Sequence, residues 1–241
     1  EFDHPSVLGP VTKRAATVGS VDKIADEVDE AFRLAAAPHR GPVFLDVPMD
    51  ELFGDAEDRP VTAGTTAPHP PEAGDVDAIA RLLAGAERPL VILGTDVWSD
   101  GADEAARRCV TDLGLPTITN GMGRGILPAG HELLVGKARR SAVGGCDLAI
   151  AAGTPLDFRL GYGSFGGQGG APEAQVVHVA DSPGQLSTHA QPAATAAGDL
   201  TSFFDQLQAA VEARPHSDWW AWADGLSQEA AARAAQDREL L

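Results

Sequence analysis

LVILG, residues 90–94, is an apolar run closed by glycine. Runs of the same kind return downstream as PTIT at 116–119, LAIAA at 148–152 and VVHVA at 176–180. Short apolar and β-branched runs bounded by turn formers read as strands. Continuous rather than alternating hydrophobicity means that both faces of those strands are covered. Each run leads into a turn built from Gly, Asn, Asp, Ser or Thr, and helical spacing fills the segments between. The chain is therefore expected to be α/β, with a doubly wound parallel sheet of Rossmann-like character. The loops that follow the strands then gather along one edge, at the carboxyl ends, where open parallel sheets bind small molecules. The pattern gives a fold and a place for a ligand without naming the ligand.

Before the first run, Val76, Ile79, Leu82 and Leu83 share one helical face, and Asp75 stands where the N-cap belongs. A second helix is expected from Asp100 to about Leu113, ended by Gly114. Residues 141–145 close a short helix, and residues 193–197 read as an edge strand. Asp199 is placed to cap a helix with Leu200, Phe203, Phe204, Leu207 and Val211 inward. Upstream, residues 1–19 read as irregular, interrupted by Pro5, Gly9 and Pro10. Ser20 is expected to cap an amphipathic helix with Val21, Ile24, Val28, Ala31 and Phe32 on one face, followed by the strand VFLDV at 43–47. One helix and one strand cannot cover both faces of a sheet, so residues 1–54 are expected to be the closing part of a larger domain. Residues 55–74, rich in Pro, Thr, Ala and acidic side chains, read as a linker. Residues 75–214 then form the central domain. Residues 215–241 form a connecting helix whose Trp219, Trp220 and Trp222 dock onto a further domain.

The chain has 241 residues, 44% of them apolar, enough to build a core. Its formal net charge of -17 repels phosphate backbones, so nucleic acid is not an expected partner. Lys137, Arg139 and Arg140 are the densest basic patch, open to an anion-binding or a plain surface role. No apolar run is long enough to span a membrane. The two cysteines, Cys109 and Cys146, belong to no CxxC and read as buried packing residues, which fits a reducing, cytoplasmic location.

Gly161, Gly163 and Gly166 spell GxGxxG, but more glycines and Pro172 follow, so no helix can open there to meet a phosphate. A glycine loop is the better reading. Asn120, Gly121, Met122 and Gly123 leave the second strand, where glycines allow either close approach of a ligand or a tight turn. GTPLDFR at 153–159 leaves the third strand. Its Phe158 and Arg159 could stack on a ring and pair with a phosphate, or sit in the core and on the surface. Asp181 and Ser182 follow the fourth strand, suited to a ribose hydroxyl or to capping a turn. Asp199 has the same choice, and capping is the stronger claim. The seven histidines lack metal-ligand spacing, and His178 in mid-strand reads as a satisfied core residue. From the residues alone no catalytic constellation or metal site emerges.

Thr12 and Lys13, the helix after Ser20, and GPVFLDVPMD at 41–50 resemble the end of the pyrimidine-binding domain of thiamine-diphosphate enzymes. The segment from Leu90 onward resembles their central domain, and GTPLDFRLGYG at 153–163 is most similar to acetolactate-synthase-like members. The resemblance covers nearly the whole chain. It implies a carboligase or decarboxylase of 2-oxo acids that works with thiamine diphosphate and Mg²⁺, as a homodimer or homotetramer on a small-molecule substrate. The activating glutamate would lie upstream and the GDG…N motif downstream, so this chain by itself would be inactive. The resemblance further implies that FAD or ADP would lie on Gly94, Thr95, Asn120, Gly121, Met122, Gly123, Gly153, Asp157, Phe158, Arg159, Asp181, Ser182, Gly198 and Asp199. Flavin-dependent synthases carry Arg where Pro155 stands and Met-His-Gly near 137–139. These departures leave FAD, ADP, CoA or no nucleotide open. A 2-hydroxyacyl-CoA lyase or oxalyl-CoA decarboxylase, and a non-catalytic nucleotide-binding or structural module, are the alternatives.

Overall fold

The computed structural model describes residues 2–57, 64, 67–170 and 172–239. The chain divides into two units, Glu1–Pro68 and His69–Leu241. The division falls within the expected linker, of which residues 58–63, 65 and 66 lie outside the described residues.

In the first unit, α1 (His4–Leu8) leads to β1 (Arg14–Thr17), α2 (Ile24–Ala36), β2 (Val43–Asp46) and α3 (Met49–Leu52). β1 and β2 pair in parallel, Arg14 opposite Val43 and Thr17 opposite Asp46. The irregular reading of residues 1–19 is thus corrected. Pro5 sits in the first turn of α1, where its missing N–H costs nothing, and Asp3 caps that helix by accepting from the Ser6 amide at 3.1 Å. β1 escaped notice because RAAT offers one β-branched residue and no apolar run. Ser20 is not the cap of α2. It precedes a 3-10 turn, Val21–Lys23, without a side-chain capping bond. Among the described residues of this unit only Val18 is buried, and Val28 and Phe32 of α2 remain exposed.

The second unit runs α4 (Ala73–Gly85), β3 (Pro89–Leu93), α5 (Thr95–Ser99), α6 (Asp103–Leu113) and β4 (Thr117–Thr119). It continues through α7 (Arg139–Gly145), β5 (Leu148–Ala152), β6 (Gln175–Ala180), β7 (Ala194–Ala197), α8 (Leu200–Glu212) and α9 (Trp220–Glu239). The sheet is parallel throughout, in the order β4-β3-β5-β6-β7. The first strand thus lies inside the sheet and the chain reverses direction between β3 and β5. Alternate residues of each strand feed two cores. Val91, Leu93, Ile150 and Val177 pack under α4, α6 and α8, while Leu90, Ile92, Ala149 and Ala151 pack under α7 and α9. Alanines on β5 allow helices to lie close on both faces.

Gly114 ends α6 at φ 70°, as its position predicts. Asp75 lies inside the first turn of α4 rather than at its cap, because the helix begins directly after Pro70, Pro71 and Glu72. Two of the tryptophans expected to reach another domain, Trp219 and Trp222, are bonded into this unit instead. Trp219 Nε1 donates to the Ala86 carbonyl at 2.9 Å and Trp222 Nε1 to the Pro89 carbonyl at 3.0 Å. The unit therefore extends through α9, beyond residue 214. An indole needs a hydrogen-bond partner when buried, and the two carbonyls flanking the start of β3 supply it.

Candidate functional site

Reversal of the chain between β3 and β5 is where an open α/β sheet forms its ligand crevice. Here that point is closed by protein backbone. Gly94 leaves β3 and Gly153 leaves β5 at φ 63°. A Cβ on Gly94 would lie 2.1 Å from the Gly153 carbonyl oxygen, and one on Gly123 would lie 2.4 Å from the Leu93 carbonyl oxygen. The amides of Met122, Gly123 and Arg124 bond to Thr95 Oγ1, the Asn120 carbonyl and the Gly121 carbonyl. Gly121 and Gly123 let this loop lie against Thr95 and the Leu93 carbonyl, and the Gly123 amide is taken by the Asn120 carbonyl rather than left for a phosphate. Gly94, Thr95, Asn120, Gly121, Met122, Gly123 and Gly153 do come together, and Asn120 Nδ2 reaches Thr154 Oγ1 at 3.5 Å.

The remaining expected residues sit on the same edge in separate places. Asp157 accepts from the Arg159 amide at 2.9 Å and holds the Arg159 guanidinium through a forked contact, 2.6 Å at its shortest. That bond keeps the Asp157 carboxyl below its ordinary range. The Arg159 guanidinium lies 5.9 Å from the centre of the exposed Phe158 ring, so Phe158 is not a core residue. Asp181 is buried at the end of β6, and Ser182 opens a 3-10 turn without a side-chain capping bond. Gly198 is pressed against the His69 carbonyl. Asp199 caps α8, accepting from the Ser202 amide at 2.7 Å. His178 is the satisfied core residue its position predicts. Nδ1 accepts from the Ser187 amide at 3.0 Å, so Nε2 carries the proton and donates to the Thr154 carbonyl at 3.1 Å. Burial lowers its pKa, which keeps the ring neutral. Cys109 and Cys146 are buried, and desolvation pushes both thiols up to about 12, far from a reactive thiolate.

Beyond the end of β4 the structure opens a cavity of about 920 Å³. Ile118, Thr119 and Asn120 form its floor, the 124–137 loop one wall, and Ser227, Ala230, Ala231 and Ala234 of α9 the other. Arg124, Lys137, Arg139, Arg159 and His131 also line it, and among the described residues no Asp or Glu does. Lys137 pairs with Asp237 and Arg159 with Asp157. Among the described residues Arg139 makes no ion pair. It donates to the Arg159 carbonyl at 2.7 Å, and burial lowers its pKa. An apolar chamber rimmed by cations in a chain of charge -17 suits an anionic ligand of nucleotide size. Of the fourteen expected site residues, Asn120 and Arg159 line this cavity. The α9 wall was not expected, because its small residues carry no periodic signal. Lys137 and Arg139 were visible as a basic patch.

A family model described as the thiamine pyrophosphate enzyme central domain matches residues 76–207. An acetolactate synthase large subunit of Mycobacterium tuberculosis is 37% identical over 223 residues, covering 91% of this chain and 40% of that protein. Oxalyl-CoA decarboxylase of Escherichia coli is 27% identical over 233 residues, covering 94% of this chain and 41% of that protein. The crystal structure of benzoylformate decarboxylase from Polynucleobacter necessarius shares the fold. It has a TM-score of 0.63 and 18% identity, and the match covers 81% of this chain and 38% of that one. The chain thus spans about two fifths of the length of the curated relatives it matches.

Proposed function

Because the chain belongs to the thiamine pyrophosphate enzymes and carries their central domain, we propose that it serves a carboligase or decarboxylase of 2-oxo acids, of the acetolactate-synthase type. The observation that carries this reading is the 37% identity to an acetolactate synthase along 91% of the chain. Thiamine diphosphate would supply the electron sink for the decarboxylated substrate. The residues here do not fit that cofactor: no Gly-Asp-Gly triplet occurs in the 241 residues. Thiamine diphosphate and Mg²⁺ would therefore be held outside this chain, in a cytoplasmic homodimer or homotetramer. Pyruvate consumption measured with both added is expected at the blank rate for the chain alone. Turnover above that rate would overturn the reading that thiamine diphosphate and Mg²⁺ are held outside this chain.

The central domain's own ligand, in this reading, is an adenine nucleotide, FAD or ADP, along the carboxyl ends of the strands. The donor set fits: Arg124, Arg139 and Arg159 offer forked donors for phosphate, and the volume admits a nucleotide. Asn120 and Thr119 would meet the ligand from the floor, and α9 would exclude water. The oxalyl-CoA decarboxylase type is the second reading, favoured by the same acid-free lining, which equally suits the phosphates of CoA. Calorimetry with FAD, ADP and CoA tests both. Arg159→Ala is expected to weaken the bound ligand by about 1.5 kcal/mol, the low end for a charge-assisted bond, because Asp157 already competes for the guanidinium. Failure of all three ligands at millimolar concentration would end the nucleotide reading.

A further inference from the structure

A second, smaller cavity of about 210 Å³ lies beside the large one. Arg139, Arg140, Arg159, Ser164 and Gln168 supply its polar wall, and Val143, Leu160 and Phe165 its apolar one. We infer that this cavity is a subsite for a phosphoryl dianion, held by Arg139, Arg140 and Arg159, and that it is separable from the nucleotide cavity with which it shares two arginines.

Charge is the first argument. The chain has 35 acidic residues, yet none lies between Glu132 and Asp147 or between Asp157 and Glu173, the two segments that form this cavity. Among the described residues neither Arg139 nor Arg140 makes an ion pair. A partly buried guanidinium without a counter-ion is costly. Arg139 is in that state, its pKa lowered by burial, and a single one of its donors reaches a protein acceptor, the Arg159 carbonyl. A dianion would satisfy three forks at once, whereas among the described residues the one counter-ion to these arginines is Asp157, held by Arg159.

The second argument is that the wall is built. Gly144 of α7 has no Cβ, and one placed there would lie 2.3 Å from Gln168 Cδ. The carboxamide therefore rests directly on the helix, one turn from Arg140, closing the cavity from the side of the glycine loop. The glycines at 166, 167, 169 and 170 all take positive φ, which lets that loop fold back to deliver Gln168.

The test uses inorganic phosphate as probe, with potassium chloride at matched ionic strength as the reference. Phosphate is expected to raise the melting temperature where chloride does not. Arg140→Gln touches only the small cavity. It is expected to weaken phosphate binding by about tenfold or more, the loss of one charge-assisted bond. Arg107→Gln removes the same charge from α6 and should bind phosphate as the parent does. Equal responses to phosphate and chloride, or unchanged binding by Arg140→Gln, would overturn the subsite. Arg124→Gln lies only in the large cavity and separates the two readings. Weaker ADP with unchanged phosphate supports both sites. Phosphate binding without any nucleotide binding leaves the subsite standing and removes the nucleotide reading. Competition between phosphate and ADP would identify the dianion as the nucleotide's own terminal group; independent binding would identify it as free phosphate.

Discussion

Trp219→Ala is expected to destabilise the His69–Leu241 unit by roughly 3–5 kcal/mol, the cost of emptying a large aromatic site in a packed core. Trp219 is 1% exposed and is among the largest fully buried side chains in the chain. His216 stacks on it at 4.7 Å, and its indole N–H satisfies the Ala86 carbonyl. Alanine would remove the packing and leave that carbonyl unpaired. Total stabilities of domains are about 5–15 kcal/mol, so a loss of this size moves a urea midpoint far. Trp220 gives the comparison, since it is one residue on and 41% exposed. Its replacement by alanine should cost much less. Equal midpoints for the two variants would refute the assignment of Trp219 to this core.

Gly94→Ala and Gly225→Ala add the same methyl group and are expected to act in opposite directions. At Gly94 the new Cβ would lie 2.1 Å from the Gly153 oxygen and 2.4 Å from Thr154 Cβ. Its φ of -107° suits any residue, so the conflict is purely steric. The obstacle is backbone, tied by the Asp96 amide to the same Gly153 oxygen at 3.0 Å, and cannot swing away. The cost should reach or exceed the ~1–3 kcal/mol typical of an overpacked core. Gly225 lies within α9 with nothing within 4 Å of the added carbon. There alanine should stabilise by about 0.5–1 kcal/mol through helix propensity. Thermal melts of both variants decide the matter. A tolerated Gly94→Ala would mean that the loops after β3 and β5 do not meet as described.

All five strands of the sheet could be read from sequence, four because each is a short, largely apolar run and β7 as a small-residue edge strand. β1 could not, because RAAT is small and charged, and α1 was hidden by a proline that suits a first turn. The carboxyl edge was legible as a place, since parallel strands put all their following loops there. The reason for the glycines was not. Gly94, Gly123 and Gly153 each signal close approach of something, and the sequence alone does not say whether a ligand or the protein's own carbonyls approach. The cavity was half legible. Lys137, Arg139 and Arg140 stood out as a basic patch, but the helix that faces them is alanine-rich at 230, 231 and 234 and points nowhere by pattern. The indole bonds to Ala86 and Pro89 help to place that helix, together with Leu226 and Ala230 in the core.

Those same bonds impose an order on synthesis. Ala86 and Trp219 are 133 positions apart. At ribosomal speeds of about 5–20 residues per second, roughly 7–27 seconds separate their appearance. Early in that interval β3 gains β4 as a neighbour, β5 takes the other side later, and the Ala86 and Pro89 carbonyls wait longer still for their indoles. Closure of the His69–Leu241 unit therefore waits for α9, the last of its elements to be made.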